Sequence, residues 1–106
     1  MQPANLFAHL TPPATGERFD TLLAHRQLVI ERIVSSADLT PHTYVQPQDE
    51  WVVLLQGDAT LQVDGQPVAR AAGDHLVLPA GTPHSVERAS PGALWLAVHL
   101  HPTDQT

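Results

Sequence analysis

Short apolar runs alternate with turn-forming residues over most of the chain. Four of these runs are EWVVLLQ, ATLQV, HLVLP and ALWLAVHLH. Each has the length of a β-strand, and Gly, Pro or Asp residues separate it from the next run. The dipeptide Asp64-Gly65 is a strong signal for a two-residue hairpin turn. The pattern predicts an all-β fold of short antiparallel strands, which must close or stack to cover their edges.

The N-terminal part of the chain has a different pattern. The first residues are rich in proline and predict irregular structure. In residues 15–25, Phe19, Leu22 and Leu23 recur at a spacing of three to four positions, which is typical of one face of a helix. Thr15 is a suitable N-cap for it. We therefore expect a short helix before the first strand.

Length and pattern together predict one domain, because 106 residues are enough for a single apolar core. Within it we expect an N-terminal extension with the short helix over residues 1–27 and a barrel over residues 28–101. A C-terminal tail follows over residues 102–106.

Composition excludes several classes of function. No apolar run approaches the roughly 20 residues that a bilayer span requires. The net charge is −6, all five cationic residues are Arg, and they are scattered, so nucleic-acid binding is not expected. The absence of cysteine removes disulfides, thiolate metal sites and cysteine nucleophiles. Together with the lack of a secretory signal pattern, this predicts a cytoplasmic protein. Seven His residues are the unusual feature that remains.

Two segments carry a recognisable arrangement. Gly73 begins and His84 ends the pattern G-x5-P-x-G-x2-H, and upstream Glu50 is followed by six residues and then Gly57. The first pattern resembles the second conserved motif of the cupins, and Glu50 with Gly57 resembles the end of the first. The cupins are a superfamily of small β-barrels. The resemblance implies a single-domain cupin-like β-barrel, or double-stranded jelly roll.

The resemblance also implies a metal site. Metal-binding cupins are similar in using H-x-H, three or four residues and Glu, with a further His from the second motif. On this basis Glu50 and His84 take the carboxylate and the last imidazole positions. His42 takes the first His position only if the intervening loop is one residue longer than usual.

At the usual spacing, the two His positions fall on residues that are not His. They are Tyr44 and Gln46 in one alignment and Thr43 and Val45 in the other. Tyr44 and Gln46, together with Arg88 beyond the second motif, are candidates for lining the cavity and contacting a ligand.

The last strand offers another imidazole. In ALWLAVHLH, strand alternation places Trp95, Ala97 and His99 on the same face. His99 would then point into the barrel with His84. The candidate metal ligands are therefore Glu50 and His84, completed by His99 or His42. Such nitrogen and oxygen ligands suit one divalent ion of Zn, Fe, Mn or Ni.

Two functions follow from these residues. One is a small metal-binding cupin that holds one divalent cation and a small polar ligand in its cavity, with catalysis on an unknown substrate left open. The alternative is a metal-free cupin that binds a small molecule or acts as a sensor. Small barrels often cover a strand edge with a second copy. We expect a homodimer whose contact is the strand predicted over residues 27–34.

Overall fold

The computed structural model describes residues 4–103, and within that range all regular structure is β-strand. The strands are β1 (Glu17–His25), β2 (Leu28–Ser35), β3 (Asp49–Gln56), β4 (Asp58–Val63), β5 (Gln66–Ala71), β6 (His75–Leu78), β7 (His84–Ala89) and β8 (Leu94–Leu100). They form a five-stranded sheet in the order β1-β2-β8-β3-β6 and a three-stranded sheet in the order β5-β4-β7. Every pairing between them is antiparallel. The prediction of an all-β jelly roll is confirmed.

The apolar core lies between the two sheets. Leu54 and Leu94 are fully buried, and Val52 and Trp95 are nearly so. The small sheet contributes Leu61 from its central strand. Because the inward side chains of both sheets pack against each other, this core fixes the separation of the sheets on which the cavity depends.

Two turns show why glycine occupies their positions. Asp64 and Gly65 have φ values of 50° and 79°, the left-handed pair that a two-residue hairpin requires. Gly57 has a φ of +89°, and a Cβ there would lie 2.5 Å from Ser90 Oγ and 3.2 Å from Ala93 Cα. The glycine after β3 therefore lets the chain pass close to the turn before β8.

The helix expected over residues 15–25 is wrong, because Glu17–His25 is the strand β1 and pairs with β2 over its length. The register shifts between Thr21 and Leu23, which leaves Leu22 as the extra residue of a bulge. One inserted residue turns an alternating strand pattern into an apolar spacing of three to four, which is the period of a helix. The five-stranded sheet thus begins at Glu17, within the segment expected to precede the barrel.

The strand predicted over residues 27–34 corresponds to β2, which lies between β1 and β8. Its backbone groups are paired on both sides, so β2 is not the edge strand that the expected dimer contact requires. The edges of this sheet are β1 and β6. A contact through the backbone of residues 27–34 is therefore wrong for this fold.

The outer face of the five-stranded sheet carries a row of apolar side chains. Following the register across the strands, the row is Leu23, Ile30, Val98, Trp51 and Val77. Its two ends are open to solvent, with Leu23 46% and Val77 60% exposed. An antiparallel sheet with one solvated face ordinarily carries polar residues there.

Within residues 4–103 no helix is long and apolar enough to cross a membrane.

Candidate functional site

A cavity between the two sheets is lined by the buried residues Glu50, His84 and His99. Its polar lining consists of the carboxylates Glu17, Glu31 and Glu50, the imidazoles His84 and His99, and Tyr44 and Gln46; the remaining lining residues are apolar. The space open to the centres of water-sized molecules is about 70 Å³, which corresponds to roughly five waters. The cavity is therefore large enough for a small molecule.

Glu50 and His99 face each other from neighbouring strands. They are register partners between β3 and β8, so their side chains lie on the same face of the sheet. Glu50 Oε1 is 3.9 Å from His99 Nδ1, and both residues are buried. His99 shares the inward face with Trp95 and Ala97, as the alternation of the last strand predicted.

His84 approaches Glu50 from the opposite sheet. It is the first residue of β7, and its Nδ1 lies 3.0 Å from the carbonyl oxygen of Thr82. Because a carbonyl only accepts, Nδ1 carries a proton and donates, and in the neutral form of the ring Nε2 has a lone pair. That Nε2 lies 3.8 Å from Glu50 Oε1. Two groups that both donate electron pairs thus face each other inside the cavity.

The loop before β3 brings Tyr44 and Gln46 to the cavity because it pairs with β7. Tyr44 N donates to the carbonyl of His84 at 2.7 Å, and His84 N donates back at 3.0 Å. Gly81 N donates to the carbonyl of Gln46 at 2.8 Å. The Tyr44 ring stacks on His84 with 5.8 Å between centroids. Among the described residues, Gln46 Oε1 is buried and has no hydrogen-bond partner.

His99 is held by a second carboxylate, Glu31 on β2. His99 Nε2 donates to Glu31 Oε1 at 2.8 Å, and Gln48 Nε2 lies 3.3 Å from His99 Nδ1. The hydrogen bond to Glu31 raises the pKa of His99 above its ordinary value, although burial opposes the rise. A carboxylate on each side of the ring therefore favours the charged imidazolium.

Glu17 completes the acidic side of the cavity. The Ser35 hydroxyl donates to Glu17 Oε2 at 2.6 Å and accepts from Trp95 Nε1 at 3.0 Å. Burial raises the pKa of Glu17, and burial likewise raises the pKa of Glu50, against the opposing charge of His99. The cavity thus holds carboxyl groups that resist ionisation more than carboxyl groups in water do.

Sequence reasoning missed Glu17 and Glu31. Glu17 was placed in the expected helix, and Glu31 enters the cavity because β2 pairs with β8, which no local pattern reveals. Once that pairing is known, the alternation of β2 is the signal, because Glu31 shares the inward face with Ile33.

Two of the predicted site residues lie outside the cavity. His42 is exposed, and its ring contacts the edge of Tyr44 with centroids 4.6 Å apart. Arg88 is exposed as well, and its Nη2 donates to Asp58 Oδ1 at 2.6 Å. The structure therefore brings together Tyr44, Gln46, Glu50, His84 and His99, but neither His42 nor Arg88.

A divalent cation can be tested against the donors that are present. Within residues 4–103, no three His, Asp or Glu side chains form a cluster arranged to hold a metal ion. Glu50 and His84 are nonetheless oriented as two ligands of one cation. The Nδ1–H of His84 is held by the Thr82 carbonyl, and this hydrogen bond turns Nε2 toward Glu50. Gln46 Oε1, buried without a partner, supplies an oxygen donor in the same cavity. Glu50, His84 and Gln46 therefore offer the cavity nitrogen and oxygen donors of the types that a divalent cation binds.

Two antiparallel sheets around a buried polar cavity define the molecule as a small jelly-roll barrel. A family model described as "Cupin domain" matches residues 30–100, and the chain belongs to the cupin family. A comparison with curated proteins gives no match.

Solved structures resemble the chain over nearly its whole length. A protein from Ralstonia eutropha JMP134, described as a "putative mannose-6-phosphate isomerase", is 35% identical with a TM-score of 0.83, over 96% of this chain and 100% of that one. A Streptococcus pyogenes protein of unknown function is 22% identical with a TM-score of 0.81, over 97% and 90% of the two chains. The TT1209 protein of Thermus thermophilus is 22% identical with a TM-score of 0.79, over 96% and 100%. The last two show the fold alone.

Proposed function

We propose that this cupin holds one divalent cation in its cavity beside a small polar ligand. One observation carries the proposal: His84 Nε2 and Glu50 Oε1, both electron-pair donors, face each other at 3.8 Å in a buried site. Ligand bonds to a cation such as Zn²⁺ are about 2.0–2.2 Å long, so two ligands of one ion are separated by at most about twice that distance. The observed separation lies inside this limit.

The remaining ligands follow from the cavity lining. Gln46 Oε1 supplies a neutral oxygen that lacks a hydrogen-bond partner among the described residues. His99 Nδ1 lies 3.9 Å from Glu50 Oε1 and becomes a ligand once Gln48 moves away and the cation displaces the Nδ1 proton. These contacts favour His99 over the exposed His42 as the second imidazole. When bound, the cation acts as a Lewis acid on a ligand oxygen.

A metal-free binding module is the second candidate. It is favoured because the described residues contain no cluster of three His, Asp or Glu ligands. Gln48 also occupies the His99 nitrogen that a metal would need. Tyr44, Gln46, Glu50 and His84 then bind the small molecule directly through hydrogen bonds.

Metal analysis of protein purified without a polyhistidine tag separates the two candidates. After incubation with Zn²⁺, Mn²⁺, Fe²⁺ or Ni²⁺ and desalting, the metal proposal expects roughly one bound equivalent of one ion. His84→Ala should lose it, whereas His75→Ala should retain it because His75 is exposed on β6. Wild-type protein that retains under about a tenth of an equivalent of every ion would refute the metal and leave direct ligand binding.

The name of the Ralstonia relative brings a phosphorylated sugar into consideration as a ligand. At 35% identity over nearly the full chain, we take from it the coarse proposal that the ligand is a small polar molecule. The name itself says nothing about the charge that this cavity accepts, which depends on its own lining residues.

We also propose a homodimer formed through the outer face of the five-stranded sheet. The row from Leu23 to Val77 crosses all five strands, and its five side chains are apolar. At a strand spacing of about 4.8 Å the row is roughly 20 Å wide, and it would form the apolar centre of an interface that buries about 800 Å² per partner. A second copy presents the same uncharged row, and a two-fold pairing of these faces covers both.

A further inference from the structure

We infer that the cavity takes an uncharged molecule that bears hydroxyl groups, and that it excludes phosphate esters. The inference rests on the proposed function in one respect, that the cavity binds a small ligand, and it holds whether or not a cation is present. It is carried by the charges and the hydrogen-bonding groups of the lining.

Negative groups dominate the lining. Glu17, Glu31 and Glu50 all face the cavity, and only Glu31 has a partner of opposite charge within hydrogen-bond distance, the His99 ring at 2.8 Å. His84 keeps its lone pair toward the cavity rather than an N–H. A dianionic phosphate placed here would face carboxylates and a nitrogen lone pair. It would find no free cationic hydrogen-bond donor to bind it.

Among the described residues that line the cavity, the His99 imidazolium is a cationic side chain, but Glu31 already holds it at 2.8 Å. The chain has no Lys and five Arg, and none of the Arg residues lines the cavity. Arg32 and Arg18 are held by Asp20 and by carbonyls of the N-terminal segment, and Arg88 is held by Asp58. The described residues also contain no helix, and therefore no helix N-terminus to bind an anion. Phosphate recognition ordinarily uses such groups.

Hydroxyl groups match the same lining. A carboxylate has about four acceptor sites, and among the described residues Glu17 uses one for Ser35 and Glu31 uses one for His99. Their remaining lone pairs accept from ligand hydroxyls. Gln46 Oε1 is a further acceptor without a partner among the described residues. A sugar or other polyol supplies the O–H donors that these acceptors lack.

The rest of the lining is apolar. Phe19, Ile33, Val86 and Trp95 border the cavity and can pack against the C–H face of a polyol. The space for roughly five waters corresponds to a liquid volume of about 150 Å³. This limits the ligand to about the size of a monosaccharide.

Calorimetric titration with matched probes tests the inference. D-mannose and D-fructose are compared with mannose 6-phosphate and fructose 6-phosphate, each on protein with added metal and on protein treated with EDTA. The metal-supplemented or EDTA-treated protein, whichever binds the sugar more tightly, is used for the comparison. In that form we expect at least one free hexose to bind at least about tenfold more tightly than its phosphate ester. Equal or tighter binding of a phosphate ester overturns the inference, and so does failure of both free hexoses to bind. Metal content is measured on the same samples, so loss of the metal proposal is recorded separately.

Charge variants supply a second readout. Glu17→Gln and Glu31→Gln each remove one negative charge from the lining, and each should narrow the preference for the free sugar over its phosphate several-fold. Glu87→Gln, an exposed carboxylate on β7, is the matched control and should leave the preference unchanged. A preference that is the same in all three variants contradicts the electrostatic basis of the inference.

Discussion

Glu50 and His99 are register partners on adjacent strands, and the carboxylate of one lies 3.9 Å from the ring of the other inside the barrel. His99 is also bonded to Glu31 at 2.8 Å. The imidazole is thus placed between two acidic side chains, and its charge state is coupled to theirs. We therefore expect the stability of the protein, and the proposed metal binding, to respond to substitutions at any of the three positions.

Glu50→Gln should lose the bound cation and stabilise the protein at pH 8. Burial raises the pKa of Glu50 above 4.5, so the folded state binds more protons than the unfolded state as the carboxyl titrates. The contribution of Glu50 to the free energy of unfolding therefore falls as the pH rises from about 4.5 through the higher folded-state pKa. The amide does not ionise and avoids the loss. Thermal melting in metal-free buffer at pH 8 measures the change in stability, with Glu87→Gln as the control. A lower melting temperature for Glu50→Gln than for wild type would contradict the prediction.

His99 should titrate above its ordinary pKa, and Glu31→Gln should lower that pKa. The raised pKa, caused chiefly by the Glu31 hydrogen bond, stabilises the folded protein fully below about pH 6.5. That stabilisation is lost as the pH rises through the folded-state pKa of His99. NMR titration of the His99 ring measures the shift, with the ring of exposed His75 as an internal control. The same His99 pKa in wild type and Glu31→Gln would be inconsistent with the observed bond.

Ser35→Ala should destabilise the protein by about 2 kcal/mol. The hydroxyl donates to Glu17 and accepts from Trp95 at a site with no solvent exposure. Its removal leaves the buried Trp95 N–H unsatisfied, which costs about 1–3 kcal/mol, and takes one donor from Glu17, which is only partly buried. Urea denaturation followed by tryptophan fluorescence measures the change. Thr40→Ala, which removes an exposed hydroxyl, is the control, and an equal small effect in both variants would show that the chain of hydrogen bonds is unimportant.

Trp51→Glu should convert the proposed dimer to a monomer. The substitution places a charge within the apolar row that two copies would bury, and an unpaired buried charge is strongly unfavourable. Light scattering at about 10 μM, a concentration at which an interface of standard size is occupied, reports the mass. Val45→Glu introduces the same charge at an apolar loop residue, 65% exposed and off the outer face, and should remain a dimer. A monomeric mass for the wild-type protein would end the proposal.

Local patterns were sufficient for most of the fold. The alternation and turn residues after Glu50 predicted β3 to β8, and the motif spacing singled out Glu50 and His84. The alternation of the last strand placed His99 on the inward face. The strand β1 was misread because a single bulge at Leu22 changes the apolar period from that of a strand to that of a helix.

The acidic side of the cavity was not predictable in the same way. Glu17 and Glu31 approach His99 and Trp95 through strand order, and strand order depends on contacts between residues far apart in the chain. Arg88 follows the second motif closely, but it lies on the exposed side of β7. Which face of a short strand is buried depends on its neighbours as well as on its own residues.

The cavity is assembled from two separable parts of the molecule. Glu17, Glu31, Glu50 and His99 belong to the five-stranded sheet, whereas His84, and Tyr44 through its bridge to it, belong to the three-stranded one. Any occupant that contacts both sets acts as a crosslink across the sandwich. Its arrival should slow amide hydrogen exchange in both sheets together, so that occupancy is reported by backbone positions that never contact it.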